Sequence, residues 1–211
     1  ESKKLESEVI VVDDASTDNT AKVARHHGAK IIPLSVRMGS WGATQTGLRY
    51  AKKNNYKLVI TMDADGQHEA RYIKSLISFL SFRSIDVVIG SYVARGSPLR
   101  RIAWFIMKAT SGLKIEDLTS GFRVYNEEAI NILSRWQATM LEYQDLGVLL
   151  LLQSRGMKIG DFSVTMLPRK HGKSQIFYSW LAVIRYMCHT VLLGVAKRRK
   201  GLNRFALHQR S

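Results

Sequence analysis

An α/β fold built on a mainly parallel sheet is predicted by three features of this sequence. Short β-branched runs alternate with helical segments through the first half of the chain. Those runs are apolar at consecutive positions, the pattern of strands covered on both faces. Two of them end in acidic residues, Val11-Val12-Asp13-Asp14 and Thr61-Met62-Asp63-Ala64-Asp65, at the strand ends where open α/β sheets bind ligands.

The elements follow in order. Glu8 to Asp13 reads as a strand, and Asp14-Ala-Ser-Thr-Asp-Asn-Thr supplies turn and N-cap residues before a helix over Ala21 to His27. Gly28 stops that helix, and Ala29 to Leu34 is a second strand. Gly39 to Asn54 reads as a helix, Lys57 to Met62 as the central strand, Arg71 to Phe82 as a helix and Asp86 to Tyr92 as another buried strand. In the second half, helices are expected over Leu99 to Lys114, Glu127 to Ser134 and Asp145 to Arg155. A loop runs from Asp117 into a short strand at Tyr125, a strand spans Lys158 to Met166, and Pro168 to Ser174 is a basic loop. No internal repeat, low-complexity tract or interdomain linker interrupts the chain.

The chain has 211 residues, enough for one good hydrophobic core, and its hydrophobic fraction of 45% with three prolines is that of a folded domain. The single cysteine, Cys188, makes no internal disulfide, so a reducing compartment is the default, and no Cys/His cluster suggests a structural zinc. The net charge of +15 is uneven, because no acidic residue follows Asp161 while Arg169, Lys170, Lys173, Arg185, Lys197 to Lys200, Arg204 and Arg210 do. That excess suits an anionic membrane surface or phosphorylated substrates. Nucleic acid is the weaker partner, since no aromatic-and-basic recognition motif is present.

Asp63 and Asp65 are two residues apart at the tip of a strand and project toward a common point, which suits a hard cation carrying a diphosphate. An EF-hand is excluded, because Gly66 falls at the fourth place instead of the sixth and Lys74 stands where the bidentate Glu belongs. An aspartyl phosphotransferase is a rival for this pair, but leaves Asp13 and Asp14 unexplained. Those two carboxylates suit a base N–H or a ribose hydroxyl, the plainer alternative being a cap on the following helix. Asp18 reads as a cap, and Trp41 as a core residue.

Three segments in this order, Val-Val-Asp-Asp-Ala-Ser-Thr-Asp-Asn-Thr, Met-Asp-Ala-Asp-Gly-Gln-His and Asp-Leu-Thr-Ser-Gly-Phe-Arg-Val-Tyr, resemble the family 2 glycosyltransferases of GT-A fold. The branch they look most like is the polyprenyl-phosphate sugar synthases and related bacterial polysaccharide enzymes, with Gln45-Thr-Gly-Leu-Arg-Tyr-Ala and Pro168-Arg-Lys-His-Gly-Lys-Ser also fitting. The resemblance implies a GT-A domain over residues 1–175 and an inverting, metal-dependent transfer from a nucleotide diphosphate sugar to a polyprenyl phosphate or a lipid-linked or glycan acceptor. It implies nucleotide contacts for Asp13, Asp14 and Asp63. Mg²⁺ or Mn²⁺ would sit on Asp65 with Asp63 and Gln67. Acceptor-phosphate contacts fall to Arg100, Arg101 and Arg123, and closure over the diphosphate to Arg169, His171 and Lys173. His68 is given the orientation of the metal loop. If the acceptor is a hydroxyl, a base is required, and Asp145 is the candidate by position; the alternative for Asp145 is a helix N-cap.

Relatives of this kind begin with a further strand and a Pro-x-Tyr-Asn-Glu segment that this sequence lacks, so either the sequence is truncated at its start or a donor site missing its first wall is expected. A catalytically impaired nucleotide-sugar-binding or membrane scaffold protein is the rival function on that ground. Residues 176–211 form an apolar segment with a basic end, read as an interfacial helix on the cytoplasmic face of a membrane. Arg185 and His189 make a simple span costly, and a core helix with a basic end is the plainer alternative. A homo-oligomer is compatible with the sequence, which carries no motif for one.

Overall fold

The computed structural model describes residues 7–95, 101, 104–105, 108–109, 112–141 and 146–168. Strand β1 (Ile10–Asp13), helix α1 (Thr20–His26) and strand β2 (Lys30–Pro33) form a parallel βαβ unit. Asp18 Oδ1 accepts the Thr20 N–H at 2.9 Å, so the predicted local cap is present. Helix α2 (Gly39–Lys53) then buries Trp41, Gln45, Leu48 and Ala51, a stripe at three- and four-residue spacing. Trp41 is a core residue as expected, and its Nε1 donates to Ala138 O at 2.7 Å. The buried Gln45 amide donates to Leu133 O at 2.9 Å and Arg135 O at 3.2 Å, which satisfies carbonyls at the end of the helix opposite.

Strand β3 (Leu58–Thr61) leads through a 3₁₀ turn, Ala70–Tyr72, into α3 (Ile73–Arg83) and then β4 (Val87–Ser91). Positions 101, 104, 105, 108 and 109 are helical, and the segment from Gly112 (φ 72°) is not, so the helix expected to reach Lys114 stops earlier. The rest is β5 (Arg123–Asn126), α4 (Glu127–Leu133), α5 (Trp136–Thr139), α6 (Leu146–Gln153) and β6 (Ile159–Ser163). Asn126 caps α4 by accepting the Ala129 N–H at 2.9 Å, and its amide donates to Asp86. The apolar run of α6 fills the space between sheet and helices, with Val148, Leu149 and Leu152 fully buried.

The second sheet has the order β3-β5-β4-β6, with β4 and β6 parallel and β5 antiparallel to both its neighbours. The α/β class is as expected, but the sheet expected to be mainly parallel is mixed: among the described residues two ladders are parallel and two antiparallel. Chain direction decides this, because β5 starts at the end where β4 finishes, with Gly90 N donating to Phe122 O at 2.8 Å. Strands β3, β4 and β6 thus share a direction. The turn after β3, the segment after β6 and the loop before β5 all meet at one sheet end. Helix α2 packs against both β1 and β3 and so carries the two sheets side by side.

Candidate donor and metal site

Asp63 and Asp65 stand on the turn that leaves β3. Gly66 takes φ 79° in that turn, and Asp65 Oδ1 accepts the Gln67 N–H at 3.0 Å, which folds the chain back on itself. The Asp63 N–H donates to His68 Nδ1 at 3.0 Å, so in the neutral ring the proton lies on Nε2, which faces Asp63 Oδ2 at 4.0 Å. The His68 side chain is 1% exposed and stacks on Phe122, whereas the Asp63 side chain is 45% exposed. The turn is therefore held from beneath by His68 and offers a carboxylate above.

The loop before β5 is the floor of this turn. Gly121 lies so close that a Cβ there would stand 2.7 and 2.8 Å from the two Asp63 carboxylate oxygens. Thr61 Oγ1 donates to Gly121 O at 2.8 Å. Arg123 is fully buried, with Nε donating to Ser120 O at 2.8 Å and Nη2 to Leu118 O at 3.0 Å. The position expected to contact an acceptor phosphate thus braces the loop from inside. Gly121 and Thr61 carried no sequence signal for this, since the contacts cross 60 residues of chain.

Gln67 joins the turn to the segment after β6: the Leu167 N–H donates to Gln67 O at 3.0 Å and Gln67 Nε2 donates to Leu167 O at 3.4 Å. Arg169 is two residues farther on. Arg169, His171, Lys173, Arg100, Asp145, Cys188 and residues 176–211 lie outside the described residues. Arg101 is described, helical and exposed.

Asp13 and Asp14 hold local structure. Asp13 is buried, and its Oδ1 accepts the Ser16 N–H at 3.2 Å. Asp14 Oδ1 accepts Met38 N–H at 2.6 Å and Oδ2 accepts Gly39 N–H at 2.9 Å. The cap foreseen for one of this pair exists, but it serves α2 and not the next helix, α1.

Among the described residues no group of three His, Cys, Asp or Glu is placed to hold a metal. Asp63 and Asp65 are a two-carboxylate set of hard oxygen donors; this suits Mg²⁺ or Mn²⁺, which keep water or phosphate oxygens in their shell, and does not suit a closed protein cage. A groove of about 1330 Å³ opens beside β1, lined by Val9, Val11, Val23 and Tyr56, and only Ala64 of the turn reaches it. No helix among the described residues is long and apolar enough to cross a membrane.

Comparison with known proteins agrees with this fold. The family described as Glycosyl transferase family 2 matches residues 1–140. The chain is 26% identical to an undecaprenyl-phosphate mannosyltransferase of Micrococcus luteus, over 93% of this chain and 86% of that protein. It is 29% identical to a dodecaprenyl-phosphate galacturonate synthase of Rhizobium johnstonii, over 80% of this chain and 52% of that protein. The fold matches glucosyl-3-phosphoglycerate synthase of Mycobacterium tuberculosis, solved with Mn²⁺, UDP-glucose and phosphoglyceric acid. The TM-score is 0.65 at 20% identity, covering 91% of this chain and 70% of that one.

Proposed function

The chain belongs to glycosyltransferase family 2 and is a glycosyltransferase of GT-A fold, and on that premise we propose that it transfers a sugar from a nucleotide diphosphate sugar to a polyprenyl phosphate, with inversion, at the cytoplasmic face of a membrane. The observation that carries this reading is the Asp63–Asp65 turn, seated on the loop before β5 and tied through Gln67 to Leu167, at the threshold of the basic loop. Several relatives are named for a polyprenyl phosphate, which supports this acceptor class.

The roles follow from the chemistry. Asp63 and Asp65, with Gln67, would hold Mg²⁺ or Mn²⁺, whose charge neutralises the leaving diphosphate. Asp13 serves the nucleoside side, and Asp14 shapes it through the α2 terminus that it caps. Arg169, His171 and Lys173 close over the diphosphate as a charged fork and point charges. Arg100 and Arg101 take the acceptor phosphate. That phosphate is already ionised near neutral pH, so the sugar's anomeric carbon is attacked without a protein base; a hydroxyl acceptor would call on Asp145.

A second reading is binding of the nucleotide sugar without turnover.

One pair of measurements decides. UDP- and GDP-sugars with Mn²⁺ are added in a thermal-shift assay, and radiolabel transfer is followed to a polyprenyl phosphate and to a glycan hydroxyl acceptor. Stabilisation by one nucleotide, its loss in Asp65→Ala and label in the lipid phosphate are expected. Stabilisation without transfer favours the second reading, and neither effect with any donor overturns both.

A further inference from the structure

We propose that Gly121 is a positioning residue for Asp63: its bare Cα is the seat of the carboxylate, so the loop before β5 sets where the metal turn aims its charge. This rests on the donor-site reading above and adds to it a part of the site on another element.

Both ends of Asp63 bear on one short stretch of that loop. The carboxylate lies against Gly121, where a Cβ would stand 2.7 Å from Oδ2, 2.8 Å from Oδ1 and 3.0 Å from Cγ. Real Cβ atoms do not approach oxygen so closely, and no side chain but glycine's fits while Asp63 stays put. The backbone N–H of Asp63 is held by His68, whose ring stacks on Phe122, the next residue, with centroids 5.2 Å apart. Thr61, two residues before Asp63, anchors the Gly121 carbonyl.

The loop is the rigid partner in this contact. Arg123 is fully buried and donates to Leu118 O and Ser120 O, Phe122 N–H donates to Ser120 Oγ at 3.3 Å, and Phe122 O accepts from Gly90. A Cβ on Gly90 would in turn meet the Phe122 ring at 3.0 Å, so the loop cannot retreat toward β4. Asp63 is the compliant partner, with its side chain 45% exposed. Gly121 is not among the positive-φ residues, so its backbone accepts alanine without torsional strain. Gly121→Ala therefore displaces the carboxylate and leaves the fold intact.

The test compares wild type, Gly121→Ala, Asp63→Ala and the double variant by calorimetric titration of Mn²⁺ with UDP and with GDP, alongside thermal melting. Gly121→Ala is expected to melt with wild type and to weaken Mn²⁺–nucleotide binding about tenfold or more, the usual effect of disturbing a partner that orients a ligand. In the Asp63→Ala background, where the clash is gone, Gly121→Ala is expected to add nothing. Unchanged binding in Gly121→Ala, or the same loss with and without Asp63, overturns the proposal. If the wild type binds neither nucleotide, the donor-site reading falls; the seat is then read from a crystal structure of Gly121→Ala, where an unmoved Asp63 side chain overturns it.

Discussion

Leu167 and Gln67 hold each other by two hydrogen bonds, one through the Leu167 N–H at 3.0 Å and one through the Gln67 amide at 3.4 Å. The residue that precedes the basic loop is thereby tethered to the metal turn. The proposed contact of Arg169 and Lys173 with the diphosphate is tested on this basis. Arg169→Ala and Lys173→Ala are each expected to lower kcat/KM for the donor about ten- to hundredfold, the worth of one charge-assisted hydrogen bond, without changing the melting temperature. Steady-state kinetics at two salt concentrations check this; an unchanged kcat/KM removes the loop from the donor site.

Arg123 separates bracing from binding. Its guanidinium has no exposed surface and two of its donors point at loop carbonyls. Arg123→Met keeps most of the volume and leaves both carbonyls without a donor, so it is expected to cost about 2–3 kcal/mol in urea denaturation. Arg123→Lys recovers little, because an ammonium cannot reproduce the fork. Wild-type stability with lost acceptor affinity would return Arg123 to the phosphate.

What the sequence revealed and what it hid divide by the distance along the chain over which each contact acts. The β-branched runs, the Asp18 cap and the α2 stripe are local patterns and could be read directly. The direction of β5 could not, because an apolar run fits a parallel or an antiparallel neighbour equally well. Helix α5, four residues long, is too short to show a period. In the site, the Asp63-Ala-Asp65 turn was legible as chemistry, whereas Gly121 beneath it and the inward Arg123 were not. A glycine needed for close approach looks the same in sequence as a glycine in a turn. An arginine beside Thr-Ser-Gly reads as exposed until the carbonyls around it are placed.

Asp14 shows the same non-locality and gives a stability prediction. Its two oxygens accept the Met38 and Gly39 N–H groups at the start of α2, 24 and 25 residues away, where the helix dipole also favours negative charge. Asp14→Ala is expected to cost about 1 kcal/mol, as loss of a helix cap does, and Asp14→Asn less because one acceptor oxygen remains. Urea denaturation of the three proteins checks it. A contact with nucleotide alone would leave free-protein stability unmoved.

Asp161 makes stability depend on pH in the unusual direction for a carboxylate. It lies on β6 opposite Ile89, and burial pushes its carboxyl above the ordinary aspartate range; a backbone hydrogen bond at Glu116 lowers it, and the nearby Glu116 charge raises it again. The folded protein therefore holds this proton more tightly than the unfolded chain does. Between the ordinary aspartate range and the raised value the native state binds more protons, so this group's contribution to stability falls as pH rises through that window. Asp161→Asn removes the charge and keeps the shape. It is expected to be more stable than wild type at neutral pH, and the difference should shrink to zero as the medium is acidified below the ordinary aspartate range. Urea denaturation of both proteins across that range measures it, and a pH-independent difference would assign the effect to packing rather than to ionisation.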